Sequence, residues 1–523
     1  MPSSTAAKWA WGARLTPALA RLAAALAMAA ALATVAVLAA GCGKPAVTPG
    51  ASGAAAGAPG PAAGASAAGG AAAAARPPQP QPGSALDSQL VIYIREAQAS
   101  GLPLVWNIRK IALEQAGGNQ LVIPGTEVTL RTSDIDQGQK LVAVLEVPKG
   151  EYTGLTLFTR DVAFEDTRQP VSAEANFVTV AYPFSAVSGN AKTILMVAEF
   201  AAPGADRSAF RFQPQLRIED EPAELKGKLI YVSNEMSSNI SVIDKALRRV
   251  VRTIYVGTRP SAIAADRRRN RLYIADRRAG ALYEMDMISQ HLLKALEMDY
   301  VDEPVHIEPV PSKDLLMVVA YGSDAVHLVD PFTLQIIETV AVGDGPVDAL
   351  FSEFWNLAFV VNQLDNSVSV LNLDDRPVKV DTTLFVDLRP SGATLDGSMG
   401  WLYVTNSGSY NLSAIKLETL AIERVFPVGI GATDVILDPY GRQLYVAMAE
   451  TAEIICVDPY TGVTTRNIRM PGRPGRLAFD SEDKKLYVTI PEADAVMVVD
   501  TITGEIQYRI ETGNQPSSMA TRF

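Results

Sequence analysis

Of the 523 residues only two are cysteine and three are histidine. Cys42 and Cys456 form no CxxC or CxxCH pattern, which argues against zinc ribbons and c-type haem attachment. His291, His306 and His327 stand alone, and no HExxH, P-loop or nucleophile elbow occurs. No motif therefore requires a metal or cofactor. Basic residues are also short, 46 against 57 acidic ones, for a net charge of −11. That sign argues against a nucleic-acid partner, whose phosphates call for Lys and Arg. The one basic cluster, Arg267, Arg268, Arg269, Arg271, Arg277 and Arg278, reads as solvated turn surface.

What is present is a repeat. The stretch GWLYVTNSGSYNLSAIKLE (400–418) reads as two strands around a polar turn, and such a hairpin is marginal alone. Its Leu-Tyr-Val centre returns, exactly or loosely, at 231, 273, 317, 359, 403, 445 and 487, in steps of 42 or 44. Thirteen residues after each centre a second apolar strand ends, mostly in Asp. A Pro opens a further strand at 260, 304, 346, 390, 474 and 516, and Ala432 takes that place once. A period in the low forties with four strand signals and no helical pattern predicts a propeller of seven blades. The region opens on a Leu-Tyr-Val-type strand and ends on a Pro-led one, so the last strand must complete the first blade and close the ring. The fold class is all-β.

LYVTN at 402–406, ISVID at 240–244 and VGTRP at 256–260 resemble the YVTN family of β-propeller repeats. The resemblance covers about 227–523. It implies the fold and says little of function, because propellers host many functions.

Four segments are expected: 1–41, 42–86, 87–225 and 226–523. The first carries Lys8, Arg14 and Arg21, then an apolar run over 22–40 and Leu38-Ala39-Ala40-Gly41-Cys42. A basic start, an apolar core and small residues make a secretory signal. Ending in Cys, it resembles a bacterial lipoprotein signal, which implies lipidation of Cys42. A plain anchor helix is the other reading, since the run is nearly long enough to span. Gly43 after the Cys fits outer-membrane sorting. Residues 43–86 are nearly all Ala, Gly, Pro, Ser and Gln and read as a disordered tether.

Residues 87–225 alternate in QLVIYI, KLVAVLEVP, YTGLTLFTRDVAF and TILMVAEF, which predicts a β-sandwich. VPKGEYTGLTL (147–157) and AFRFQPQLRIED (209–220) resemble a domain of unknown function of bacterial lipoproteins, with a transthyretin-like or carbohydrate-binding-like sandwich. Cys456, inside EIICVDP, is expected to be an inert buried thiol.

Site candidates come from aligning the repeats. Two residues after the Pro position stand Ala262, His306, Asp348, Gly392, Asp434, Arg476 and Ser518. The next position is apolar throughout. Alternation assigns the mixed polar set to the channel and the apolar set to blade packing. Arg259, Glu303, Arg389, Arg473 and Gln515 precede the Pro and are expected on the loops of one mouth. A polar lining is also what any water-filled channel has. Two functions remain. One is a non-catalytic, membrane-anchored envelope lipoprotein that binds a protein or glycan. The other is a lactonase-like hydrolase or quinoprotein-like oxidoreductase working at the mouth.

Overall fold

The computed structural model describes residues 88–521, apart from 99, 124, 136, 137, 202–206, 223, 224 and 226. Cys42, the leader and the tether expected over 43–86 lie outside the described residues.

Residues 229–521 form a seven-bladed β-propeller, seven antiparallel four-stranded sheets among the described residues. The closing blade orders its strands Pro516–Thr521, Leu229–Asn234, Asn239–Asp244 and Arg249–Tyr255 from the axis outward. Tyr231 lies opposite Ala520 across the junction of the two chain regions. Counting this blade as the first, the next five open at the axis on Pro260–Asp266, Pro304–Val310, Pro346–Ser352, Pro390–Asp396 and Ala432–Leu437. The seventh opens late, on Leu477–Asp480 rather than at Pro474. Elsewhere the residue after the second strand donates its N–H to the carbonyl just before the Pro position, as Gln363 does to Gly345 at 2.9 Å. In the seventh blade that residue is Pro491, which has no N–H to give.

The repeated residues explain themselves locally. Each Leu-Tyr-Val strand lies second from the axis and is covered on both faces by neighbouring blades. Tyr231, Tyr273, Phe359, Tyr403 and Tyr487 are consequently almost wholly buried. The opening hairpin packs this way, and the Tyr403 hydroxyl donates to the Pro459 carbonyl of the next blade at 3.3 Å. The Asn that ends the strand has its own task. Asn406 Nδ2 donates to Asn411 Oδ1 and Ser413 Oγ, both at 2.8 Å, tying strand two to strand three. Asn234 makes the same pair of bonds, and Asn362 bridges the same two strands through Ser367 and Ser369. The Gly of VGTRP is equally local: at Gly257, φ +58°, a Cβ would collide with the Asp276 carboxylate.

Ahead of the propeller stands a smaller β-sandwich. One sheet orders Gln215–Glu219, Asn190–Glu199, Ser88–Glu96 and Lys140–Val147. The other orders Gln120–Ile123, Leu104–Gln115, Gly150–Phe164 and Phe177–Ala186, with Val128–Arg131 also pairing Leu104–Gln115. A four-residue helix, Thr132–Ile135, departs from the all-strand expectation.

Strand Ser88–Glu96 is buried on both faces. Leu90, Ile92 and Ile94 enter the sandwich core, while Val91 and Tyr93 join Ile230, Val232 and Ile510 of the propeller. The sandwich therefore covers the closing blade and its neighbour. Gln89, 4% exposed, donates to the Ser237 carbonyl and accepts from Asn239 Nδ2, both at 2.6 Å. Glu511 accepts from the Leu141 amide at 2.8 Å and pairs with Lys140 at 3.0 Å. At the ring's other face Lys245 pairs with Asp480, whose side chain is 0% exposed, and with Asp483 at 2.8 Å.

Candidate functional site

The innermost strand of each blade has one edge paired and one facing the axis. An edge strand leaves backbone donors and acceptors unpaired. Here most blades cap the next. Two residues past the Pro position, Asp348 Oδ2 accepts the Ala393 amide at 3.0 Å, and Asp434 Oδ2 accepts the Leu477 amide at 2.8 Å. Ser518 Oγ accepts the Ile263 amide at 3.3 Å across the closing junction. One residue past the Pro position, hydroxyls donate forward: Ser261 to the Pro304 carbonyl and Ser391 to the Ala432 carbonyl, each at 2.7 Å. Four residues past it, Glu308 and Thr394 accept from Phe351 and Leu437, at 3.3 and 3.2 Å.

This revises the role read from alternation. Both faces of an innermost strand meet a neighbouring blade, so Ala262 packs with Ile307, Leu316 and Val318 of the following blade. Asp348 and Asp434 are 3% and 7% exposed, and they are capping groups rather than open channel lining. Above them His306 and Arg476 are half-buried and reach the mouth. His306 Nδ1 lies 3.1 Å from Asp348 Oδ1, and Arg476 Nη1 lies 3.3 Å from Asp434 and 3.8 Å from Asp348. Four of the candidate residues thus form one connected charge cluster.

Burial sets its protonation. Loss of water lowers the His306 pKa, outweighing the attraction of Asp348, so the ring is neutral at pH 7. Its Nε2 has no hydrogen-bond partner and lies out of reach of solvent. Burial also raises Asp434 to about 6, partly offset by Arg476. Burial would lower Arg476, but Asp434 and Asp348 hold it above its ordinary value.

Over this cluster lies a mouth cavity of about 320 Å³. His306, Arg476, Ser517 and Ser518 supply its floor, and Glu235, Arg277, Tyr321 and Gln363 its wall. The candidate rim residues divide into two groups. Arg259 pairs with Glu235 at 2.8 Å, and Glu303 with Arg277 at 2.6 Å, so both hold the wall. Arg389 and Arg473 are exposed and do not line the cavity; Arg473 lies 3.7 Å from Glu492.

The wall residues were missed as such from sequence although their signal is regular, and Arg277, expected as solvated turn surface, instead lines the cavity paired with Glu303. Each stands four residues after a Leu-Tyr-Val centre. Around the ring that position reads Glu235, Arg277, Tyr321, Gln363, Ser407, Ala449 and Pro491. Four consecutive blades project large polar groups and three project small ones, so the cavity sits to one side of the axis.

Among the described residues no group of three His, Cys, Asp or Glu is placed to hold a metal ion. Cys456 is 3% exposed and its thiol is pushed up to about 11 by burial, the inert state expected of it.

No protein-family model matches the chain, and no curated protein matches it. Among solved structures, a functionally unknown protein from Desulfotomaculum acetoxidans DSM 771 is 12% identical with a TM-score of 0.50. The match covers 56% of this chain and 99% of that one. Hydrazine synthase of Kuenenia stuttgartiensis is 18% identical with a TM-score of 0.46, covering 50% and 89%. A candidate 6-phosphogluconolactonase from Bacteroides uniformis ATCC 8492 is 13% identical with a TM-score of 0.47, covering 57% and 100%. At these identities the likeness is one of fold.

Proposed function

We propose that the protein is a lipid-anchored binding module of a bacterial cell envelope, held at the outer membrane through Cys42. Its propeller mouth captures an envelope ligand without chemistry. The observation that carries this reading is the mouth itself. Each charged group there already has a partner, and the one dyad that could act as a base, His306 with Asp348, keeps its second nitrogen buried. A general base must reach the proton it abstracts. What the mouth offers is hydrogen-bonding surface. We assign the repeats to the YVTN type, which the shared role of Asn234, Asn362 and Asn406 supports.

The second reading is a hydrolase or oxidoreductase at the same mouth, and the His306–Asp348 geometry is the observation in its favour. A panel of lactone and ester substrates separates the two. The binding reading expects no turnover above that of the Arg476→Ala variant; turnover lost in His306→Gln would establish the enzyme. Metabolic labelling with a fatty acid tests the anchor. Label should be absent from Cys42→Ala, and its retention there would sink the lipoprotein reading.

A further inference from the structure

We infer that the mouth cavity takes a neutral, hydroxyl-rich ligand of mono- to disaccharide size, gripped by Gln363 and Tyr321. The inference rests on the reading of the mouth as a binding site and names its ligand class.

Size comes first. Ligand pockets span roughly 300–1,000 Å³, and about 320 Å³ stands at the small end.

Charge comes next. Glu235 is matched by Arg259 and Arg277 by Glu303. Beneath them the single cation Arg476 serves both Asp348 and Asp434. No surplus positive charge remains to draw an anion in. A cationic ligand would have to take a carboxylate from a partner it already has. A neutral ligand meets neither cost.

Hydrogen-bonding capacity completes the argument. The Gln363 amide and the Tyr321 hydroxyl line the cavity, and no hydrogen bond among the described residues occupies either group. The amide supplies two donors and an acceptor, and the phenol supplies one of each. Ser518 Oγ accepts from Ile263 and keeps its own proton to donate. Donors and acceptors lining one small cavity, each charge there already matched, are the complement of a sugar's hydroxyls. One face of the Tyr321 ring is stacked by the Arg277 guanidinium at 5.1 Å, which fixes where its hydroxyl points. The opposite side of the ring offers Ser407, Ala449 and Pro491 and so has little grip.

The test is calorimetric titration of the full-length protein, purified in detergent, with N-acetylglucosamine and its dimer, glucuronic acid and glucosamine. The neutral sugars should bind at least about fivefold tighter than either charged one. Gln363→Ala should weaken them about tenfold, a change of about 1.4 kcal/mol. Tyr321→Phe should weaken them a few-fold, and Ser407→Ala should leave them unchanged. Both wall variants should keep the parent's melting temperature, which separates lost contacts from lost folding. Glucuronic acid binding as tightly as N-acetylglucosamine would overturn the inference, as would Gln363→Ala binding at full strength or no binding by any sugar. Envelope lipid or protein fractions whose binding depends on Gln363 would overturn the sugar while keeping the mouth. If no fraction depends on Gln363 or Arg476, the mouth reading itself fails.

Discussion

The closing blade and the fifth blade, across the ring, carry the same local ties. Tyr231 donates to the Met287 carbonyl at 3.1 Å as Tyr403 does to Pro459 at 3.3 Å, and Asn234 and Asn406 bridge the same strands. They differ in continuity. The fifth blade is one uninterrupted stretch, whereas the closing blade joins strands almost 300 residues apart in sequence. The closing junction alone adds Lys245 on buried Asp480, and the sandwich covers the blade and its neighbour through Gln89, Tyr93 and Glu511. Where the chain does not hold itself together, buried side-chain pairs and a second domain do so.

The largest effect should come from removing what makes that blade different. Deleting residues 514–523 opens a sheet edge beside an apolar core. The loss should far exceed the roughly 1 kcal/mol of an average substitution, with aggregation through the edge. An unchanged melting temperature would dissolve the distinction between the two blades.

Next comes Lys245→Met, which leaves Asp480 charged and unpaired in the interior. The expected cost is about 3–5 kcal/mol in denaturant unfolding. Lys313→Met is the matched control. Lys313 meets Asp374 at 2.6 Å at the same place between the third and fourth blades, but Asp374 is 62% exposed there. That pair, open to water, should contribute far less than the buried one. Equal losses would show that the closing junction is not specially held.

Gln89→Ala should cost about 1–3 kcal/mol, because it strands the buried Asn239 amide and Ser237 carbonyl. It should also lower protection of the Leu229–Asn234 amides from hydrogen exchange before those of Trp401–Asn406. Equal protection of both strands would mean that the sandwich sits on the ring without bracing it.

A further effect is one of pH. The junction between the third and fourth blades depends on Glu308, whose withdrawal from water raises its pKa from 4.5 to about 8. The folded state therefore takes up this proton first. Stability from this group rises as pH falls from 8 toward 4.5 and is lost as pH rises through 8. The closing strand carries Ala520 at the equivalent position and has no such dependence. Asp483 of the seventh blade, at the closing junction, is lowered by its hydrogen bond to Lys245 and acts oppositely, with stability lost as pH falls below 3.8. Glu308→Gln keeps the bond to Phe351, so it should raise the melting temperature at pH 8 and leave it unchanged near pH 4.5. A flat difference across that range would contradict the assignment.

The propeller was legible because its period acts through local rules: alternation, a Pro, a tyrosine with nowhere to go but inward. The closing strand followed from counting. The channel set was found but its role was misread, since alternation does not say that both faces of an innermost strand meet a neighbour. Glu235, Tyr321 and Gln363 escaped notice, and Arg277 was read as solvated turn surface, because the four share a register and no chemical type. The docking of the sandwich had a quieter sign. QLVIYI is apolar on both faces, as a strand covered twice must be, but nothing local names its second cover.

The caps carried by the innermost strands run one way. Side chains of the innermost strands satisfy the backbone of the following blade, whereas Arg267, just past such a strand, reaches back to the Thr521 carbonyl at 3.3 Å. The ring therefore has a sense of rotation in its dependencies as well as in its chain. A substitution at Asp348 frees its neighbour Ala349 in its own strand and also exposes Ala393 in the next blade. Inheritance of such a repeat is constrained in pairs: a blade copied or exchanged as a unit carries the cap for a neighbour it has not met and leaves behind the one it needs.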